Sequence, residues 1–316
     1  MRKKLLFIGI NYYAYVGRLR DAFEQAGYDV DYREIEPVDF LSKTRKKFMP
    51  SMYWRRLADY HNRIIDEAAD TQYDIVLFIQ VHHFAPAQID RLRSSQRNAT
   101  FVLYNWDSLT THDYRPWLGY FDKVSTFDPA DAEALDVNYL PLFALDDYFE
   151  ADQRRTKDFD LYFVGAIGTF YRFDALAKLS SYCHDRDIRV FFHLKCSPLM
   201  MIRLLLSGRR LPGMTFRSLG FAGIIDLIER SRCVFDFANH RQSGYTMRLI
   251  ENMCAGLKVV TENPRVEGED FYRADRFLVL KDVDFKNLQS FIERPITSHL
   301  DTEQFRIGSW VSKLLS

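Results

Sequence analysis

SRCVFDFANHRQSGYTMRLIENMCAGLKVVTEN, residues 231–263, reads as strand, polar loop, helix, tight turn and strand. Residues 233–237 form an apolar, aromatic run with the length of a buried strand. Gln242, Ser243 and Gly244 make a flexible polar loop, and residues 245–254 have helix-forming composition. Ala255 and Gly256 stop that helix, Gly256 being free to take the left-handed conformation a C-terminal cap often needs. Residues 257–261 return as a strand. A glycine-bearing loop that runs into a helix N-terminus offers backbone N–H groups and a positive dipole end to an anion. Glu251 falls about two turns into the helix, roughly 9 Å along its axis at 1.5 Å per residue. From there a carboxylate can grip a ribose while the loop holds the attached phosphates.

The alternation extends outward in both directions. Strands are expected at residues 4–10, 29–33, 75–80, 100–104, 123–126 and 137–140, and helices at 15–26, 51–69 and 86–93. Ser51 is the expected cap of the long helix, and Asp128-Pro129 marks another helix start, with Asp128 capping and Pro129 at the first helical position. Residues 146–160 are charged and lack an apolar period, which places a domain boundary there. A second series follows, with strands at 161–164, 188–194 and 277–280 and helices at 170–184, 199–207, 221–230, 285–292 and 302–315. The expected division is 1–150, 151–300 and a terminal helix in 301–316. Such alternation builds parallel sheets with helices on both faces. The fold class is α/β, two doubly wound Rossmann-like domains facing a cleft at the carboxyl ends of their strands, where ligands of such folds bind.

A chain of 316 residues with 47% apolar and 27% charged residues has material for two ordinary cores. Lys+Arg and Asp+Glu both total 43, so no net charge argues for a nucleic-acid partner. Cys183, Cys196, Cys233 and Cys254 lack metal-type spacing and read as reduced structural thiols. There is no HExxH or DxD pair to indicate a metal, and no GxGxxG after the first strand. The N-terminal MRKKLLFIGI reads as a first strand rather than a signal peptide, and residues 199–206 are too short and too charged to span a bilayer. A cytoplasmic protein is expected.

The run QSGYTMRLIENMCAGLKVVTEN resembles the nucleotide-sugar-binding segment of GT-B glycosyltransferases, and is most similar to the spore-maturation and lipopolysaccharide-biosynthesis type. Three further pieces look like the same group: Tyr104-Asn105-Trp106-Asp107-Ser108; Phe121-Asp122-Lys123 with Thr126-Phe127-Asp128; and Phe163-Val164-Gly165 with Arg172. The resemblance implies that Glu251 bonds the donor ribose, and that Gly244, Tyr245 and Thr246 meet its diphosphate through backbone N–H and hydroxyl groups. It implies no metal or other cofactor, an acceptor-side first domain, a donor-binding second domain, and a last helix that braces the first domain. Retaining members of the wider fold carry Glu-x7-Glu; here Ser243 stands eight residues before Glu251, which leaves the stereochemical outcome open.

A departing diphosphate gathers negative charge, which cations must stabilise. Arg172 follows the turn FVGAIGTFYR, Lys195 ends the strand VFFHL, and Arg248 lies on the motif helix; they are preferred in that order, each against the plainer reading of a surface cation. An inverting transferase also needs a general base. His82 and His83, past the strand at 75–80, and Asp107, past the strand at 100–104, are the candidates; a cap for Asp107 and a carbonyl partner for either histidine are the plainer readings. Basic and aromatic residues concentrate at 43–56 (KTRKKFMPSMYWRR) and 199–210 (LMMIRLLLSGRR). They suit an anionic or membrane-surface acceptor such as a lipid-linked glycan, but a helix whose apolar stripe packs inward is the expected arrangement. Together these readings point to sugar transfer from a nucleotide-diphosphate donor to an acceptor hydroxyl in bacterial surface-polysaccharide assembly, with peripheral contact at the inner membrane. A nucleotide-sugar epimerase of the same architecture and a non-catalytic binding protein are the alternatives.

Overall fold

In the computed structural model, which describes residues 2–11, 15–37, 46–237 and 242–316, the chain divides between Leu142 and Phe143. One unit comprises Met1–Leu142 with Ile307–Ser316, the other Phe143–Arg306. The division precedes the charged stretch, because Ala144 already belongs to the second unit, its N–H donating to the Phe305 carbonyl at 2.8 Å.

The first unit holds β1 (Lys3–Gly9), β2 (Tyr28–Glu34), β3 (Ile75–Ile79), β4 (Thr100–Asn105), β5 (Lys123–Thr126) and β6 (Asn138–Tyr139). They run parallel in the order β2-β1-β3-β4-β5-β6. Ile75–Ile79 is buried at every position, the pattern of a central parallel strand covered on both faces. Around the sheet lie α1 (Tyr15–Gln25), α2 (Pro50–Ala68), α3 (Pro86–Ser95) and α4 (Pro129–Leu135). In α2 the buried residues Tyr53, Leu57, His61, Ile64, Ile65 and Ala68 follow a helical repeat along one face. The helix starts at Pro50, ahead of Ser51, and Met49 takes the cap position; proline needs no N–H partner in a first turn. Asp128 caps α4 as expected, accepting from the N–H groups of Ala130 and Asp131 at 3.0 and 3.3 Å.

The second unit repeats the scheme with β7 (Leu161–Ile167), β8 (Val190–Cys196), β9 (Met214–Thr215), β10 (Cys233–Asp236), β11 (Lys258–Thr261) and β12 (Phe277–Val279). Their order is β12-β11-β10-β7-β8-β9, again parallel. Its helices are α5 (Asp146–Phe149), α6 (Phe170–His184), α7 (Pro198–Leu206), α8 (Phe221–Glu229), α9 (Met247–Cys254) and α10 (Leu288–Glu293). The edge strand β9 was not anticipated, since two residues carry no readable period. Of α7, only Met200 and Leu204 are buried, so its apolar residues do not all pack inward as expected. It follows β8, whose outer neighbour β9 is too short to offer a wide apolar face. Gly256 has φ +81°, the left-handed turn that ends α9.

A final helix, α11 (Ile307–Leu315), is part of the first unit. Trp310 is fully buried there, edge-on to Tyr104 with ring centroids 4.9 Å apart. Tyr104 in turn donates its hydroxyl to the Leu140 carbonyl at 3.0 Å, tying β4 to the strand beyond β5.

Lys258 is a charged residue inside a buried strand, only 3% exposed. Its ammonium donates to the carbonyls of Phe291 at 2.5 Å, Ile292 at 2.9 Å and Arg294, so it closes the C-terminal end of α10. Burial lowers its pKa from the usual lysine value. Replacing it by methionine keeps the stem and strands those carbonyls. Lys258→Met is expected to lower unfolding stability by about 2 kcal/mol; an unchanged denaturation midpoint and slope would contradict that role.

Candidate functional site

In a doubly wound sheet the ligand crevice opens where the strand order reverses. In the second unit that point lies between β7 and β10, at their carboxyl ends. Asp236 ends β10 and is 1% exposed. The Thr246 hydroxyl donates to its Oδ1 at 2.6 Å and the Thr261 hydroxyl to its Oδ2 at 3.0 Å. Thr246 also caps α9, its Oγ1 accepting from the Leu249 N–H at 3.1 Å. Past Thr261, Asn263 donates from Nδ2 to the carbonyls of Ser243 and Gly244 at 3.3 and 3.4 Å. One carboxylate and one amide thus hold the 242–246 segment against the ends of β10 and β11. Burial raises the Asp236 pKa, with the two hydroxyls and nearby Arg248 and Arg172 opposing it.

This geometry changes three expectations. The helix begins at Met247, since Thr246 is its cap, and Glu251 is therefore about one turn into it, roughly 6 Å along the axis. The Thr246 hydroxyl has given its single proton to Asp236, so it has no hydroxyl proton to offer an anion. The Tyr245 ring is buried and its hydroxyl donates to Glu269.

The arginines meet here. Arg172 donates from Nη1 to the Ala166 carbonyl at 3.0 Å and from Nη2 to the Phe237 carbonyl at 2.9 Å, bridging the ends of β7 and β10. Its Nε is buried with no hydrogen-bond partner among the described residues. Burial lowers its pKa, and the like charge of Arg248 adds to that effect. The two guanidinium carbons lie 5.8 and 5.9 Å from the centre of the Phe163 ring. Arg248 is half-buried, and its side chain makes no hydrogen bond or ion pair among the described residues. Glu251, three residues further along α9, shares its face. Beside them Tyr162 donates to Asn252 Oδ1 at 2.6 Å. Lys195 lies one strand over, level with Ala166, but is exposed and donates to Ser218 at 2.6 Å.

Phe163 stays in place because residue 165 is glycine. A Cβ there would come within 2.8 Å of the ring; the first unit repeats the device at Gly9, 2.7 Å from the Phe7 ring. Residues two apart on a strand face the same side, so each ring lies over its glycine.

In the first unit the order reverses between β1 and β3, and a cavity of about 280 Å³ opens at their carboxyl ends. His82, His83 and Asp107 all line it. His82 stacks on His112, ring centroids 3.7 Å apart and 8° from parallel, and His83 lies against it at 4.1 Å. Gln80, at φ +66°, donates from its amide to Asp107 Oδ2 at 2.5 Å. Glu36 accepts from Lys46 at 3.0 Å and from Tyr53, while Nδ1 of His83 stands 3.3 Å away, at ion-pair distance but outside hydrogen-bond alignment. Burial works to raise the Glu36 pKa, and the bonds from Tyr53 and Lys46 overcome it. Lys46 and Tyr53 belong to the first basic stretch, which is thus partly folded onto this cavity; its leading residues Lys43, Thr44 and Arg45 lie outside the described residues. Asp236, Asn263, Glu36, Gln80 and His112 were missed from sequence. Only Asp236 left a signal there, as a charge within the apolar run CVFDF.

Among the described residues no three His, Cys, Asp or Glu side chains are grouped to hold a metal ion. Burial, with the neighbouring His83 and His112, lowers the His82 pKa from 6.5 to about 3, and burial outweighs Glu36 to lower that of His83. Below 6.5 these two histidines therefore bind more protons in the unfolded chain than in the folded one, and their contribution to stability falls as the pH drops from 6.5 toward 3. His82→Phe keeps a ring against His112 and removes one such proton. It is expected to flatten the decline in melting temperature between neutral and acid pH; parallel slopes for the two proteins would refute this. At the other site, Asp236→Ala leaves the buried Thr261 hydroxyl and the half-buried Thr246 hydroxyl without their acceptor and is expected to cost about 2–3 kcal/mol in chemical denaturation.

No family model matches the chain, and no curated protein matches it. Solved structures do. The lipopolysaccharide outer core galactosyltransferase WaaB superposes with a TM-score of 0.58 at 15% identity, over 99% of both chains. The UDP-forming α,α-trehalose-phosphate synthase of Burkholderia xenovorans gives 0.61 at 11% identity, over 98% of this chain and 99% of that one. The UDP-GlcNAc 2-epimerase of Neisseria meningitidis, bound to UDP-GlcNAc, gives 0.52 at 10% identity over 99% of both. With two six-stranded parallel sheets, each reversing its strand order once, the chain has the GT-B glycosyltransferase-like fold.

Proposed function

We propose that the protein moves a sugar from a nucleotide-diphosphate donor to an acceptor hydroxyl on a glycan or lipid-linked glycan, in bacterial surface-polysaccharide or lipopolysaccharide synthesis on the cytoplasmic side of the membrane. The observation that carries this reading is the pair of guanidiniums, Arg172 and Arg248, that flank Phe163 at the reversal point of the second sheet. The two cations repel each other; among the described residues the carboxylates of Asp236 and Glu262 offset this at Arg172 without an ion pair to either guanidinium, so an anion in direct contact with both would relieve it further. A diphosphate fits that need, with the first-turn N–H groups of α9 and the backbone of Gly244 and Tyr245 as further donors. Glu251, about one turn further along, takes the ribose hydroxyls. Positive charge supplied this way stabilises the leaving diphosphate without a metal or other cofactor. The four cysteines are free and buried, which accords with a reducing compartment. Among the described residues no helix is long and apolar enough to cross a membrane.

The acceptor belongs in the first unit's cavity. Asp107 is our preferred base there: it is a carboxylate oriented by Gln80, whereas His82 and His83 are held neutral by burial and are weak bases. Lys195, bonded to Ser218, is the least favoured donor contact of the three cations. The likeness to a UDP-GlcNAc 2-epimerase supports a second reading, chemistry on the donor alone.

Calorimetric titration with UDP, GDP, CMP and dTDP tests both, since folded protein that binds none of them is neither enzyme. Donor turnover that requires added acceptor marks the transferase; turnover without one marks the epimerase. Glu251→Ala and Arg248→Ala are each expected to weaken nucleotide binding by about 1–3 kcal/mol. Wild-type affinity in both variants would remove the site assigned here.

A further inference from the structure

The outward face of α7 is apolar. Leu199, Ile202 and Leu206, at i, i+3 and i+7, form one stripe, and Leu205 widens it. Ile202 is 55% and Leu206 84% exposed, while the opposite face buries Met200 and Leu204. The pairing of Lys195 with Thr215 brings the exposed Phe216 out of β9 at the end of the sheet where α7 begins. Large side chains are rarely left in water in such a group without a use for them.

The charge carried by the stretch that builds this face is of one sign. From Ile188 through Ile225 the chain carries no Asp or Glu. It carries six cations in that span: Arg189, Lys195, Arg203, Arg209, Arg210 and Arg217. Arg189 is paired with Asp160 and Arg209 with Asp174. Arg203, Arg210 and Arg217 are exposed and make no ion pair among the described residues. Exposed leucine and isoleucine fringed by unpaired arginine match a bilayer interface, where acyl chains receive the apolar face and anionic headgroups receive the guanidiniums.

We propose that α7 and the turn after β9 form a docking surface for an anionic lipid bilayer, with α7 lying in the plane of the interface. A second copy of the chain is the poorer occupant. A two-fold contact would set Arg203, Arg210 and Arg217 against their own copies, with Asp174 already paired to Arg209. The helix is also only about 14 Å long at 1.5 Å per residue, too small to supply the roughly 800 Å² that each partner of a stable protein interface buries. The surface does not rest on the sugar-transfer reading, and the two are measured separately.

Co-sedimentation with vesicles of equal phosphatidylglycerol and phosphatidylcholine is the test, against vesicles of phosphatidylcholine alone. The full chain is expected to bind the anionic vesicles at least about tenfold more strongly, and to be released by salt. Ile202→Asp with Leu206→Asp is expected to reduce that binding about tenfold, as is Arg203→Glu with Arg210→Glu and Arg217→Glu. Circular dichroism and nucleotide titration of the first variant should match wild type, because neither residue touches the donor site. Equal binding to neutral vesicles, no vesicle binding by folded protein, or variants that partition like wild type would each overturn the proposal. So would a wild-type dimer in sedimentation equilibrium that Ile202→Asp with Leu206→Asp converts to a monomer.

Discussion

A carboxylate placed where water cannot reach must find its hydrogen bonds within the protein, and Asp236 finds them in two hydroxyls from different elements. The need for those bonds fixes the position of Thr246, and through it the first turn of α9; it fixes Thr261 as well, and through Thr261 and Asn263 the carbonyls of Ser243 and Gly244. Where Arg248 and Glu251 stand follows from where that helix starts. A charge inside a core is costly, and here it locates the charges that face outward.

The two units use one architectural rule for different chemistry. Each sheet reverses its strand order once, each carries Phe-x-Gly in its first strand, and each opens its polar site at the reversal. In the second unit the crevice receives guanidiniums, whose planar donor forks suit phosphate oxygens. In the first it receives imidazoles packed against one another, of which His82 and His83 are kept neutral by burial, beside a carboxylate held by an amide. On the proposed reading the cationic crevice takes the departing anion of a donor, and the other, lined by imidazoles with Asp107, Glu36 and Lys46, takes the acceptor.

The sequence by itself determined the fold class, because buried parallel strands write continuous apolar runs and their helices write a helical period. It also placed Asp128 as a cap and Gly256 at a left-handed turn, both strictly local requirements. It brought the reader to Arg172, Arg248 and Glu251 through the resemblance carried by the motif. What only the tertiary structure decided is who meets whom. Glu36 reaches His83 and Lys46, His112 stacks on His82, and Gln80 orients Asp107 across gaps that no sequence period spans. The start of α9 depended on a long-range bond to Asp236, so helix composition alone set it two residues early. The outward face of α7 likewise depended on how little sheet lies beside it. Apolar periodicity records that a helix has a greasy side, and only the packing decides whether the protein covers it.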